Sequence, residues 1–78
     1  MSIYSFIFPL GESEFRTKMC FPSVKDAQTW AAGQLLKDEF CLFREVPSSD
    51  YVFDPVEEAH YAVRWTADMP HFDTLFID

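Results

Sequence analysis

The segment IYSFIFPLGESEFRTKMCF, residues 3–21, decides the fold. In residues 3–10 both alternating sets of side chains are largely apolar, which is typical of a strand covered on both faces and therefore inside a sheet. Residues 15–21 have a two-residue period that places four side chains on one face, namely Phe15, Thr17, Met19 and Phe21. The Pro-Leu-Gly-Glu-Ser stretch at residues 9–13 is typical of a turn, so the segment predicts a β-hairpin.

A helix is predicted directly after this hairpin. Ser23 is followed three residues later by Asp26, a spacing typical of an N-cap. Apolar residues then recur at helical spacing, at Val24, Ala27, Ala31 and Leu35. Trp30 flanks this stripe as a large anchor. We expect the helix to end near Lys37, and Gly33, which weakens a helix interior, to mark a close helix–sheet contact.

The second half of the chain predicts further strands. Residues 40–46 are expected to form a strand and residues 51–53 a short extended piece, and Asp54 before Pro55 predicts about one helical turn. Residues 60–66 alternate like a strand, although a helix over residues 55–67 also fits the apolar spacing. Pro70 is expected to break the chain, and residues 74–77 could form a terminal strand.

These elements predict a single α+β domain over residues 1–78. It consists of an antiparallel sheet of about four strands with one main helix packed on one face, in the order strand–strand–helix–strand–strand. With 49% hydrophobic and 18% aromatic residues the chain is unlike a disordered one. No apolar run reaches the roughly 18–20 residues of a membrane span, and residues 1–6 do not resemble a signal peptide. We therefore expect a cytoplasmic protein that does not insert into membranes.

Catalytic and metal-binding motifs are weak in this sequence. Cys20 and Cys41 are 21 positions apart, which fits neither a disulfide framework nor a zinc pattern. They are expected to be buried reduced thiols, and a disulfide across neighbouring strands is the alternative. Glu57 and His60 form a single E-x-x-H pair, whereas di-iron bundles use two. Two glycines cannot make a Gly-rich phosphate loop. We expect no enzymatic activity, no cofactor and no metal.

The charge is distributed unevenly along the chain. The protein has a net charge of -7, yet residues 1–37 carry three acids and four bases, a net of +1. From Asp38 onward ten acids face only Arg44 and Arg64, a net of -8. Such asymmetry favours a partner of opposite charge and argues against direct binding of nucleic acid.

The densest acidic stretch, residues 50–58, contains four acids and no base. Its turn signals predict a surface position, and Tyr51 and Phe53 lie among its acids, as Phe72 and Phe76 do further on. Acids around aromatic anchors are a favourable interface composition. The predicted partner-binding residues are Asp50, Tyr51, Phe53, Asp54, Glu57, Glu58, Asp68 and Asp73. The alternative is that the acids form a solvated surface that keeps the protein soluble.

In size, charge and architecture the chain resembles the small inhibitors that phages encode against host machinery, such as anti-CRISPR proteins. The likeness is carried by the hairpin of residues 3–21, the capped helix of residues 23–37 and the acid-rich half, without any matching motif. It implies a stoichiometric inhibitor in the host cytoplasm that imitates nucleic acid and occupies a basic groove of its target.

Two other functions also fit the sequence, and the oligomeric state stays open. One is an immunity or antitoxin protein that neutralises a basic nuclease. The other is a structural protein that self-associates, with residues 40–46 as the exposed edge strand.

Overall fold

The computed structural model describes residues 1–66 and 68–75 and confirms the α+β class. The elements are β1 (Ser2–Leu10), β2 (Ser13–Phe21), α1 (Val24–Gly33), β3 (Phe40–Val46), β4 (Tyr61–Thr66) and β5 (Met69–Thr74). The described strands form one sheet of five, rather than about four, in the order β2-β1-β3-β4-β5. Every neighbouring pair is antiparallel.

The predicted hairpin is present, with a tighter turn than expected. Leu10 pairs with Ser13, so Gly11 and Glu12 alone form the turn. Gly11 has a φ of 65° while Glu12 does not have a positive φ, which matches the type II′ turn with glycine at its first central position. Gly11 thus supplies a backbone conformation that L-residues adopt only at a cost.

The helix begins as predicted and ends earlier. The hydroxyl of Ser23 accepts a hydrogen bond from the N–H of Asp26 at 3.2 Å, which confirms the N-cap. The helix ends at Gly33 instead of near Lys37. Leu35 is buried but not helical, so the apolar spacing continues beyond the helix and predicts too late an end. The expected close contact at Gly33 is wrong, since a Cβ built on Gly33 has no atom within 4 Å.

The sheet has two differently covered faces. The helix face, defined by the packing of α1, contains the main core, whose buried members are Tyr4, Phe6, Phe8, Ala27, Ala31, Ala32, Leu35, Cys41, Phe43 and Val63. Trp30 packs against this core as expected, with its ring centroid 4.8 Å from that of Phe6. The indole N–H of Trp65 donates to the carbonyl of Ala32 at 2.6 Å and thereby ties β4 to the end of α1.

The opposite face, here called the loop face, is covered by residues 47–60, here called the cover loop. On this face Ser5, Ile7 and Val46 are buried, although the helix lies on the other side of the sheet. Phe53 of the cover loop is also buried, at 1% exposure. The interior strand β1 is therefore covered on both faces, as its two apolar sets of side chains predict.

The last two strands resolve the alternatives at the end of the chain. Residues 61–66 form β4, so the helix over residues 55–67 is wrong. Pro70 does not break the chain but pairs with Trp65 inside β5. This is possible because β5 is an edge strand, where a residue without an N–H need not cost a ladder hydrogen bond. Of the expected strand over residues 74–77, Thr74 is the last residue of β5 and Leu75 is not in a strand, while residues 76–78 lie outside the described residues.

Two further expectations about the strands are wrong. Residues 40–46 form β3 at the centre of the sheet, between β1 and β4, so this strand has no exposed edge for self-association. Cys20 is exposed on the loop face, where it is paired with Ile3, while Cys41 is buried on the helix face. The sheet separates the two thiols, which excludes a disulfide between them, and Cys20 is not buried.

Candidate functional site

The candidate site is the outer side of the cover loop, which contains the densest acidic stretch. The loop is held to the sheet by one side-chain hydrogen bond from β2 and one backbone hydrogen bond to β3. The guanidinium of Arg16 in β2 donates to the carbonyl of Phe53 at 3.2 Å, and the N–H of His60 donates to the carbonyl of Phe43 at 3.2 Å. With the ring of Phe53 buried beneath it, the loop is fixed at its middle and at its end.

Glu58 is the centre of the polar contacts that hold the loop. Its carboxylate accepts hydrogen bonds from the hydroxyl of Tyr51 and, at 3.0 Å, from the N–H of Asp54. Arg44 in β3 lies 3.5 Å from the same carboxylate and 5.1 Å from the centroid of the Tyr51 ring. These contacts form a clamp, here called the Tyr51–Glu58–Arg44 clamp, that fastens both ends of the acidic stretch to β3.

The clamp shifts the pKa of both of its acidic groups. The hydrogen bond from Tyr51, followed by that from the backbone of Asp54, lowers the pKa of Glu58 below its usual value. The same hydrogen bond raises the pKa of Tyr51. Both shifts arise because the bond joins a neutral phenol to a charged carboxylate and so disfavours any other protonation state.

Asp54 also has a structural role. Its carboxylate accepts hydrogen bonds from the N–H of Val56 at 2.8 Å and of Glu57 at 3.4 Å. Its carbonyl accepts the N–H of Glu58 at 2.8 Å, which closes a single turn. The predicted N-cap and the short extent of the following turn are therefore both observed.

The outward side of the loop consists of acids and aliphatic side chains. Asp50, Asp54 and Glu57 are exposed. Between them Val52 is 68% exposed and Val56 is 90% exposed. The outward side of the loop thus carries exposed aliphatic groups flanked by carboxylates, on a stretch that is anchored on both sides.

The structure brings part of the predicted site together. Four of the predicted acids lie in the cover loop, while Asp73 lies in β5, exposed on the loop face. Asp68 lies in the turn between β4 and β5, at the end of the sheet opposite to the end where the cover loop leaves β3 and enters β4. Phe72 is exposed on β5, on the helix face, and Phe76 lies outside the described residues.

The aromatic anchors of the prediction point inward. Phe53 is a core residue of the loop face, and Tyr51 is half-buried in its contact with Arg44 and Glu58. The ring of Phe53 is covered in this conformation and the side chain of Tyr51 is partly accessible, and their role in partner contact stays a prediction. Val52 and Val56 occupy the outward positions and are not among the residues predicted from the sequence. The alternation of residues 51–53 gave a signal for this, because Val52 must face away from Tyr51 and Phe53.

Cationic side chains concentrate beneath and beside this loop. Of the six Lys and Arg residues, four lie on the loop face of the sheet, namely Arg16, Lys18, Arg44 and Arg64. In the described part of the chain, the ion pairs are Arg16 with Glu14 and Arg44 with Glu58. Glu58 is thus the acid of residues 50–58 that forms an ion pair with a cation of the sheet in the described part of the chain.

Neither a metal site nor a membrane span is found in the described part of the chain. Residues 1–66 and 68–75 contain no group of three or more His, Cys, Asp or Glu side chains arranged to hold a metal ion. Glu57 and His60 do not lie on a helix, so their E-x-x-H spacing does not place them on a common helical face. At ten residues, α1 is too short to cross a bilayer, and no other described segment forms a helix that could.

Comparison with known protein families, curated proteins and solved structures found no match for this chain. The geometry of the cover loop is therefore the basis for assigning a function.

Proposed function

We propose that the protein is a small inhibitor or regulator that docks on the basic, nucleic-acid-binding surface of a target protein. The docking surface is the outward side of the cover loop, formed by Asp50, Val52, Asp54, Val56 and Glu57. The observation that carries this proposal is the alternation of exposed carboxylates with two exposed aliphatic side chains on an anchored loop. The resemblance to phage inhibitors such as anti-CRISPR proteins supports the same proposal.

The two kinds of side chain would contribute differently to binding. Carboxylates attract a basic surface from a distance and raise the association rate, whereas they add little affinity at an exposed rim. Val52 and Val56 would supply the apolar area that is removed from water on docking. Because the Tyr51–Glu58–Arg44 clamp already orders the loop, less conformational entropy is lost when the complex forms.

Only some acids of the loop can be replaced to test binding without disturbing the loop itself. Asp54 caps a turn and Glu58 holds the clamp, so replacing either residue disturbs the loop as well as its charge. Asp50 and Glu57 are exposed, and their side chains make none of the hydrogen bonds described above. The informative variant is therefore D50K/E57K. A matched control is E12K/D68K, which makes the same change from -7 to -3 in hairpin turns at the other end of the sheet.

The experiment immobilises the three proteins and exposes each to extract of the native host at about 0.15 M salt, where long-range charge effects are partly screened. We expect the wild type and E12K/D68K to retain the same nucleic-acid-binding protein, and D50K/E57K to lose it. Added DNA or RNA should release the bound protein, because both ligands would occupy one basic surface. Equal retention by D50K/E57K, or retention that DNA and RNA do not affect, would contradict the proposal.

A further inference from the structure

A cavity opens at the end of the sheet where α1 terminates. It has a volume of about 350 Å³ and lies between the last residues of the helix, the end of β1, the start of β2 and the start of β3. This volume falls in the range of about 300–1,000 Å³ that is usual for small-molecule sites. The cavity lies away from the cover loop, so it is independent of the docking surface proposed above.

The walls of this cavity are largely aromatic. Phe8, Phe15, Trp30 and Phe40 line it. The ring centroids of Phe8 and Trp30 are 6.0 Å apart with an interplanar angle of 74°, and those of Phe8 and Phe15 are 6.1 Å apart with an angle of 42°. All four rings line one cavity, so each presents part of its surface to a common space. Aromatic faces carry negative potential and attract cations, and the indole ring of Trp does so most strongly.

The charge of the cavity has a single sign. Glu39 is the charged residue among the described lining residues, and Lys, Arg and His are not among them. One carboxylate oxygen of Glu39 accepts the N–H of Leu36 at 2.7 Å, which fixes the side chain at the cavity wall. Thr17 and Gln34 are the other polar lining residues. A carboxylate held beside aromatic rings favours a positively charged ligand. The apolar walls favour a ligand whose charged atom carries alkyl groups.

We propose that this cavity binds a small organic ammonium ion whose nitrogen carries alkyl groups. The aromatic rings would contact the alkylated nitrogen, and Glu39 would supply the counter-charge. A hydrated inorganic cation would gain nothing from the apolar walls, and an anion would be repelled by Glu39. Alkylated ammonium ions match both properties because their charge is spread over apolar groups.

The test uses choline and its neutral isostere 3,3-dimethyl-1-butanol, which have the same shape and differ in charge. Each is titrated into the full chain while the indole N–H signals of Trp30 and Trp65 are followed by NMR. We expect choline to shift the Trp30 signal with an affinity about tenfold higher than that of the isostere. Trp65, which does not line the cavity, serves as the internal reference. Equal binding of the two compounds, or no shift of Trp30 with choline, would overturn the proposal.

Two variants separate the role of Glu39 from general electrostatics. Glu39→Gln should weaken choline binding several-fold and leave binding of the neutral isostere unchanged. Asp38→Asn removes the same charge from the neighbouring residue, which does not line the cavity, and should leave choline binding close to that of the wild type. Asn tolerates the φ of 69° at this position, so the control should keep its fold. An equal loss in both variants would contradict the assigned role of Glu39.

Discussion

At the scale of single residues, Glu58 shows that the number of acids in a segment can be read from the sequence, whereas the contacts of each acid cannot. The sequence shows four acids in residues 50–58, but it does not show which of them is used internally. The structure shows that Glu58 binds Tyr51, Arg44 and the backbone of Asp54, whereas Asp50 and Glu57 are exposed. The difference depends on where β3 places Arg44, which is a property of the folded chain.

The clamp predicts a stability that depends on pH. The pKa of Glu58 is lower in the folded protein than its ordinary value of 4.5, so the folded state favours the charged carboxylate. The stabilisation is therefore present above about pH 4.5 and is lost as the pH falls through the lowered folded pKa. We expect Glu58→Gln to lower the free energy of unfolding near neutral pH, and this difference from the wild type to vanish in strong acid. Urea unfolding over a pH series measures it.

The matched control for this pH series is Glu57→Gln. Glu57 is adjacent to Glu58 in sequence and its side chain is exposed, so its replacement should leave the free energy of unfolding unchanged at each pH. A constant destabilisation by Glu58→Gln across the whole series would show that the clamp does not act through the charge of Glu58.

The two cysteines are predicted to differ in reactivity. Burial raises the pKa of Cys41 to about 12, and Cys20 is exposed on β2. Because the thiolate is the reactive species, Cys41 should be inert near pH 8 while the protein is folded. A disulfide reagent such as Ellman's should titrate one thiol in the native protein and two in denaturant. Cys20→Ser should abolish the native reaction, and rapid reaction of that folded variant would contradict the burial of Cys41.

At the scale of secondary structure, elements with local signals were predictable and elements set by distant contacts were not. The alternation in β1 and β2 and the Ser23 cap were sufficient to predict the hairpin and the start of α1. The apolar spacing predicts a later end for α1 than the structure has, because Leu35 is buried by tertiary packing after the helix has ended. Similarly, the sequence does not predict β5, because Pro70 is tolerated only where a strand has a free edge, and sequence alone does not show which strand lies at the edge.

Replacing the two glycines by alanine should change the free energy of unfolding in opposite directions. Gly11 has a φ of 65°, so Gly11→Ala should destabilise the hairpin by about 1–2 kcal/mol. Gly33 ends α1 without a positive φ, and a Cβ there would meet no atom within 4 Å. Gly33→Ala should therefore raise the free energy of unfolding by up to about 0.5–1 kcal/mol. Urea unfolding of both variants tests this, and destabilisation by Gly33→Ala would instead support a close helix–sheet contact.

At the scale of the whole molecule, the protein has three layers, because the cover loop acts as the counterpart of α1 on the other face of the sheet. For a chain of 78 residues this arrangement matters, since small domains bury a limited fraction of their surface. The sequence indicated that β1 is covered on both faces, but it did not show what covers the second face. The second face is covered because residues 47–60 fold back across the sheet, and no local sequence pattern predicts this path.

The inward and outward residues of the cover loop should therefore have separable effects. Phe53 is 1% exposed, and Phe53→Ala should cost about 3–5 kcal/mol, a large part of the stability of a small domain. Val52, its neighbour, is 68% exposed, so Val52→Ala should change the free energy of unfolding by less than about 0.5 kcal/mol. If the outward side of the loop is the docking surface, Val52→Ala should nevertheless weaken retention of the captured protein. A Val52→Ala variant that is as stable as the wild type but does not retain the captured protein would place binding on the outward side of the loop. Unchanged retention would show that Val52 is not part of the docking surface.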